Sequence, residues 1–376
     1  MKESIKLNKS FGEADRLITQ AVGSGLFPGC ALSFYVRDKG CFSASWGRLT
    51  LVPWSPPVSA SRTYFDLASL TKPFTACAIM KLVSAGIIGT DTRLEEIFHK
   101  IPADKKAITI RQLLCHASGL PAHRPLYNRW LARTKKGAPP TRQEILQEIF
   151  SQPLEYEPGT KAIYSDIGFM LLACVLEQAT CTNFNKYIQK NIIEVFEVPS
   201  ITDSSCLATH TNVTEIAPTG MCPEENRMIQ GEVNDLNARA GLYGHAGLFG
   251  TAEGVLLFLR RLLDAHENRW KLTGFSSSVL KQFWTRDSSV PDSTWALGFD
   301  TPSATNSSAG TLFSPESVGH LGFTGTSFWI DIKKGIIVVF LSNRTFPSAT
   351  LENQQGMKKF RPMLHDAVMN YISNIL

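Results

Sequence analysis

The 376-residue sequence has no apolar run approaching the ~18 residues that a membrane-spanning helix needs. Its first residues, Met1-Lys2-Glu3-Ser4-Ile5-Lys6, lead into mixed polar sequence rather than an apolar core with a small-residue cleavage site. No signal peptide is therefore expected, and a cytoplasmic location is. Cysteine is present but never paired in sequence. Eight cysteines are spread singly from Cys30 to Cys222 with no CxxC, and without an export signal they are expected to be reduced structural thiols. The eight histidines form no HExxH or HxH pattern, and His116 and His123 are too far apart for one helical turn. No metal and no other cofactor is expected. Charge is sparse too: 19% of residues are charged and the formal net charge is +5. The basic residues are dispersed, with Lys105-Lys106, Lys135-Lys136 and Lys333-Lys334 as isolated pairs. That distribution excludes nucleic acid as the main partner. There is no internal repeat and no low-complexity tract.

What remains is a globular composition, 43% hydrophobic and 10% aromatic, long enough for one large or two medium domains. Phe11 to Val22 has helical spacing, with Leu17, Ile18, Ala21 and Val22 on one stripe. Two extended runs follow, Gly29 to Val36 and Cys41 to Trp46, joined by a plausible hairpin loop at Asp38-Lys39-Gly40. A helix is predicted to begin near Ser69 and run to Ala85, with Gly86 as its stop. Helices are also predicted at Arg111 to His116, Gln143 to Phe150, Ser165 to Ala179 and Phe184 to Val195. Ser327 to Ile332 and Gly335 to Ser342 read as strands. The segment from Phe360 to Ile375 reads as an amphipathic helix. Strands near both ends and helices between them predict an α/β domain, of the α+β type, built from both termini. The expected division, with approximate boundaries, is 1–68 plus 250–376 for that domain and 69–249 for an inserted, mostly helical one, with the active site in the cleft between them.

Ser-x-x-Lys occurs twice. Ser278-Val279-Leu280-Lys281 reads as an ordinary helix start with a surface lysine. Ser69-Leu70-Thr71-Lys72 follows the extended apolar segment Tyr64-Phe65-Asp66-Leu67-Ala68 and opens a helix with few charges. A spacing of three puts Ser69 and Lys72 on one helical face, within reach of proton transfer. The helix start also supplies free N–H groups for a developing oxyanion. Burial would favour a neutral Lys72 amine able to act as a base. Pro73 fits the first turn, where its missing N–H costs little.

Ser69-Leu70-Thr71-Lys72 resembles the first motif of the penicillin-recognising serine enzymes. Three further stretches resemble their class C β-lactamase-like branch, which also holds esterases, D-aminopeptidases and peptidoglycan amidases. They are Ile108 to Leu120, then Pro158 to Asp166 around a Tyr-x-Asn-like Tyr164-Ser165-Asp166, and His320-Leu321-Gly322-Phe323-Thr324-Gly325, followed by Leu341-Ser342-Asn343-Arg344. The likeness runs from about residue 15 to 370. It implies a β-lactamase/transpeptidase-like fold, an antiparallel sheet flanked by terminal helices with an inserted all-helical domain. It also implies roles. Ser69 is the nucleophile, Lys72 its base, and Tyr164 relays the proton. The N–H groups of Ser69 and Phe323 form the oxyanion hole. His320, standing for a lysine, is a donor or modest positive charge near Tyr164, or else a satisfied interior histidine. Asp166, Gly322, Thr324, Gly325, Asn343 and Arg344 bind substrate or support the site, Gly322 by letting the substrate backbone approach the strand.

Two departures from the family pattern matter. Asp166 stands where an asparagine is usual, and a carboxylate beside Lys72 favours the ammonium, shifting the base role toward Tyr164. Leu321 replaces a threonine that helps hold the antibiotic's carboxylate in β-lactamases, so efficient β-lactam hydrolysis is not expected. The stretches Ile216 to Thr219, Gly231 to Ala238 and Gly244 to Phe249 resemble those of the branch's cell-wall amidases. There, His245 is structural or catalytic, and Asp235 and Asn237 line the cleft or cap a loop. Arg239, Arg344 and His245 are candidates to hold a substrate carboxylate. The substrate pocket is expected from the loops Pro121 to Thr141 and Thr301 to Pro315. The expected partner is a small molecule cleaved through an acyl-enzyme. A peptidoglycan-fragment amide leads, a carboxylic ester is the alternative within enzymes, and a non-catalytic binding relative is the alternative outside them.

Overall fold

A computed structural model describes residues 6–7, 11–222 and 225–375. Met1 to Ile5, most of the stretch searched for an export signal, lie outside the described residues. The chain begins with β1 (Lys6–Leu7), α1 (Glu13–Gly23), β2 (Gly29–Val36), β3 (Gly40–Gly47), β4 (Phe65–Asp66) and α2 (Thr71–Ser84). After several short helices come α3 (Asp166–Thr180), β5 (Ile201–Asp203), β6 (Gly220–Cys222), β7 (Arg227–Ile229), β8 (Leu248–Gly250) and α4 (Ala252–His266). The last elements are α5 (Ser277–Trp284), β9 (Val318–Leu321), β10 (Ser327–Asp331), β11 (Ile336–Ser342) and α6 (Leu351–Ile375).

The main sheet has the order β1-β3-β2-β11-β10-β9, so strands from the two ends of the chain meet where β2 pairs with β11. All pairings are antiparallel except the two-residue β1, which runs parallel to β3. The two-residue side-chain period divides the sheet's residues between two cores. Leu32, Phe34, Ile336, Val338 and Phe340 face one cluster with Ile18 of α1 and Leu364, Val368 and Ile372 of α6. Ala31, Tyr35, Ile337, Val339 and Leu341 face a second cluster that continues through α4, α2 and α3. Every residue of β2 and β11 is buried, as a central strand covered on both sides requires. The second core runs unbroken from the sheet into the helical region and locks α2 in place.

The segment 69–249 is not all-helical. It contributes β5 and β8 to a small sheet with β4, and β6 pairs with β7. These strands are two or three residues long, too short to show a sequence period. All eight cysteines are free. No single helix among the described residues is long and apolar enough to cross a membrane.

Candidate active site

The chain leaves β4 through a sharp turn. Ala68 adopts φ 48, a left-handed conformation unusual for a residue with a Cβ, and its N–H donates to Asp66 Oδ1 at 2.8 Å. A 3-10 turn, Ala68–Leu70, then precedes α2, so Ser69 lies one turn before the α-helix proper. Ser69 is half-buried and Lys72 is fully buried. Lys72 Nζ donates to Ser69 Oγ at 3.1 Å, Asp166 Oδ1 at 2.7 Å and the His245 carbonyl at 3.3 Å. It also lies 4.5 Å from the centre of the Tyr164 ring.

The opposite wall is built by the start of α3. Ser165 caps it, accepting from the Gly168 N–H at 3.1 Å and donating to the Pro121 carbonyl at 2.7 Å. This cap sets Tyr164 just before the helix and Asp166 in its first turn, where the dipole favours a carboxylate. His116 pins the same segment, its Nδ1 accepting from the Ser165 N–H at 3.0 Å. Its ring lies 4.6 Å from that of Tyr164 and 4.4 Å from that of Trp295.

Charge in the cleft is set by competition. Burial favours a neutral Lys72 amine, but Asp166, and after it Tyr164, outweigh burial and raise the lysine above its ordinary range. Burial also works against the Asp166 charge, yet Lys72 and His123 hold that carboxyl well below the usual range. Burial, and after it the Asp166 carboxylate, pushes the Tyr164 phenol up, and the neighbouring Lys72 charge offsets this only in part. The resting site therefore holds an ammonium, a carboxylate and a neutral phenol.

His320 does not carry the positive charge expected of a lysine substitute. Burial, reinforced by Lys72, pushes its imidazole down to about 3, and its Nδ1 donates to the Leu321 carbonyl at 2.8 Å. The neutral ring lies 6.1 Å from Tyr164, centre to centre. Phe323 follows the edge strand β9 and is 48% exposed in the cleft. Its N–H and that of Ser69 meet no acceptor among the described residues. Two hydroxyls tie this turn to the one that carries Ser69: Thr324 Oγ1 donates to the Asp66 carbonyl at 2.8 Å and Thr326 Oγ1 to that of Leu67 at 3.2 Å.

Several expected residues support the cleft from behind. Thr324 is buried in the bond just described. Asn343 Nδ2 donates to the Leu49 carbonyl at 2.8 Å and the Pro218 carbonyl at 3.3 Å. Gly325 is required by a turn at φ 99 that presses against Ser342. At Gly322 a Cβ would meet Thr326 Oγ1 at 1.9 Å and the Leu67 carbonyl at 2.9 Å. The protein's own packing, not an approaching substrate, therefore demands that glycine. Arg344 is buried on the Phe323 carbonyl, and Arg239, partly buried, is tied to the Val233 carbonyl and lies beside Glu232, so neither lines the cleft as a carboxylate holder. Asn237 is also structural, bonding the Tyr127 N–H at 2.8 Å and the Arg124 carbonyl at 2.9 Å.

The cleft itself encloses about 430 Å³ and is lined by Ser69, Tyr164 and Asp166, with His123, Tyr127, Asn234, Asp235, Leu236, His245, Ala246 and Phe323. The loop from Pro121 to Thr141 contributes His123 and Tyr127. Thr301 to Pro315 contributes nothing, because part of that loop packs on α6 through Asp366. Asp235 lines the wall and caps a short helix at once, accepting from the Ala238 N–H and from His245 Nε2, each at 2.8 Å. His123, 3.4 Å from Asp166, escaped the sequence reading because its partner lies 43 residues away with no spacing signal. His123, Asp166 and Asp235 bring ligand-type atoms within 4.8 Å of one another, but the Lys72 ammonium already neutralises Asp166. A larger cavity of about 580 Å³, lined by Cys41, Glu253, Arg260 and Trp270 among others, has no lysine or tyrosine beside its serines.

A half-exposed serine bonded to a buried lysine, with a phenol across a cleft between sheet and helices, defines a serine hydrolase. The chain belongs to the Beta-lactamase family, whose model matches residues 14–358. An Escherichia coli O157:H7 protein named "Putative D-alanyl-D-alanine carboxypeptidase" is 30% identical over 360 residues, 88% of this chain and 82% of that one. An N-acetylmuramyl-L-alanine amidase of Bacillus subtilis (strain 168) is 28% identical over 367 residues, covering 89% of this chain and 81% of its own. Among solved structures, EstCE1, a hydrolase with promiscuous acyltransferase activity, superposes with a TM-score of 0.73 at 20% identity, covering 95% of this chain and 97% of its own.

Proposed function

We propose that the protein cleaves an amide bond in a peptidoglycan-derived fragment through an acyl-enzyme on Ser69. The contact of the Lys72 ammonium with both Ser69 and Asp166, beside the Tyr164 phenol, carries this reading. The reacting form has lost one proton from the Lys72–Tyr164 pair. Asp166 holds the ammonium on Lys72, so the proton lost is the phenol's. Ser69 Oγ then bonds to the carbonyl carbon while its proton passes to the Tyr164 oxygen. That proton is delivered to the leaving nitrogen as the C–N bond breaks. Water repeats the sequence in reverse and frees Ser69. The N–H groups of Ser69 and Phe323 receive the oxyanion in both steps.

An amine leaves only if protonated, and the phenol supplies that acid, which supports an amide over an ester. The names of the two relatives support a cell-wall fragment as its source. The test has two stages. A fluorophosphonate probe should add one equivalent to the wild type by intact mass and none to Ser69→Ala. MurNAc-peptides should then be cleaved with a specificity constant ~100-fold above that for short-chain p-nitrophenyl esters, roughly 2.7 kcal/mol of transition-state preference. The reverse preference would make the protein a carboxylesterase. Absence of any adduct together with absence of ester turnover would leave only a binding role.

A further inference from the structure

Two arginines lie buried behind the turn that carries Phe323, and neither has a carboxylate partner among the described residues. Arg361, from α6, donates through Nη2 to the Gly322 carbonyl at 2.7 Å and to the Thr326 carbonyl at 2.9 Å. Arg344 donates through Nε to the Phe323 carbonyl at 2.9 Å, bonds it again through Nη2, and stacks its guanidinium 4.6 Å from the Phe323 ring centre. Arg361 Nε and Arg344 Nη1 are buried without a hydrogen-bond partner. A buried charge with no counter-ion costs several kcal/mol, so stability does not explain a pair of them. Burial, and then Arg344, pull the Arg361 guanidinium down to about 9, still charged at neutral pH.

What the pair touches suggests its use. The carbonyl of Gly322 and the N–H of Phe323 belong to a single peptide unit. A cationic donor on that oxygen draws electron density from the nitrogen, and its N–H becomes a stronger donor. The Gly322 oxygen also accepts from the Gly325 N–H at 3.2 Å, and the preceding peptide is held by the Gly322 N–H, which donates to the Thr326 carbonyl at 2.8 Å, so the turn is fixed on both sides of Gly322. We propose that Arg361 is a positioning residue for catalysis: it polarises and aims the Gly322–Phe323 peptide so that the Phe323 N–H binds the oxyanion, with Arg344 adding to the same field. The effect is present before substrate arrives, so no reorganisation is required as charge develops.

This inference rests on the acyl-enzyme reading, and its test separates the two. The acyl-enzyme formed from an aryl ester labelled with ¹³C at the carbonyl is followed by rapid-scan difference infrared spectroscopy, with active sites counted by fluorophosphonate. In wild type the labelled ester band lies at low wavenumber, as strong donors require. In Arg361→Gln it moves to higher wavenumber, kcat falls ~10- to 100-fold per active site, and KM stays within about threefold. Arg361→Lys, which keeps the charge and serves as the readout if the glutamine variant does not fold, shows an intermediate band and partial recovery of kcat. An unmoved band in a correctly titrated variant overturns the inference and leaves Arg361 a structural cross-link. A wild type that forms no labelled ester overturns the acyl-enzyme reading instead.

Discussion

Two segments of this protein share the pattern Ser-x-x-Lys, and the structure treats them differently. In Ser69-Leu70-Thr71-Lys72 the lysine is fully buried and meets a serine hydroxyl, a carboxylate and a backbone carbonyl. In Ser278-Val279-Leu280-Lys281 the serine and lysine are exposed on α5, while Leu280 faces the core. The spacing gives one helical face in both cases. Reactivity comes from what the second wall brings to that face, and only the first copy has a wall, made by Tyr164 and Asp166. Removing that wall should make the first copy behave like the second.

The largest effect is expected from Tyr164→Phe. The ring packing against His116 and Trp295 survives, but the hydroxyl proposed to accept and return the proton is lost. Turnover should fall ~10²- to 10⁴-fold with KM little changed. Steady-state kinetics on an ester and an amide check this, and a larger loss on the amide is expected because its leaving group needs the proton more. Equal, small losses on both would return the base role to Lys72.

Next in size is the anchor of the turn that carries Ser69. Asp66 is buried and bonds the N–H groups of Ala68 at 2.8 Å and Asn234 at 2.7 Å, yet burial still pushes its carboxyl up to about 6. The sign follows from linkage. The folded state holds this proton more tightly than the unfolded chain, whose aspartate titrates near ~3.9. Asp66 therefore contributes stability below about pH 4 that is lost as pH rises through about 6, a change of roughly 3 kcal/mol. Urea unfolding of wild type and Asp66→Asn at several pH values isolates it. The difference between the two should shift in the variant's favour between pH 4 and 6, and a constant difference would show that Asp66 is ionised at no cost.

Asp166→Asn sharpens the same comparison by changing only the electrostatics of the wall. Without the carboxylate, burial at Lys72 is opposed by Tyr164 alone and the lysine's proton affinity falls. The ascending limb of the kcat/KM profile, which reports the Lys72–Tyr164 pair as a unit, should move to lower pH. A superimposable profile would remove Asp166 from the mechanism.

The legible parts of the molecule were those with local signals. The hairpin Gly29–Val36 to Gly40–Gly47, the strands before and after Lys333-Lys334 and the helix from Thr71 were visible from period and turn residues. The π-turn Gln189–Ile193 within the predicted Phe184 to Val195 helix was not, because an i to i+5 bond leaves the apolar pattern helical. Within the site, Ser69, Lys72 and Tyr164 were found through motifs. His123, Tyr127 and Arg361 carry no motif, since each acts through a contact that only the folded chain creates. Arg344 was expected to bind substrate or to support the site, and the fold gives it a supporting place on the Phe323 carbonyl: sequence shows a cation, not which carbonyl it faces.

The smallest expected effect closes the comparison from the other side. Ser278→Ala and Lys281→Ala remove both polar members of the second copy. Among the described residues the Ser278 hydroxyl hydrogen-bonds only that of Ser276, at 2.7 Å, and Lys281 makes no ion pair. The helix is held instead by Leu280, Phe283 and Trp284, which neither change touches. Alanine is also the better helix former at both sites. Turnover should match wild type, and stability should stay within about 0.5 kcal/mol by urea unfolding. A loss of activity in Lys281→Ala would mean that spacing alone confers reactivity. An unchanged enzyme shows that a lysine three residues after a serine does chemistry only where burial, a carboxylate and a phenol converge on it.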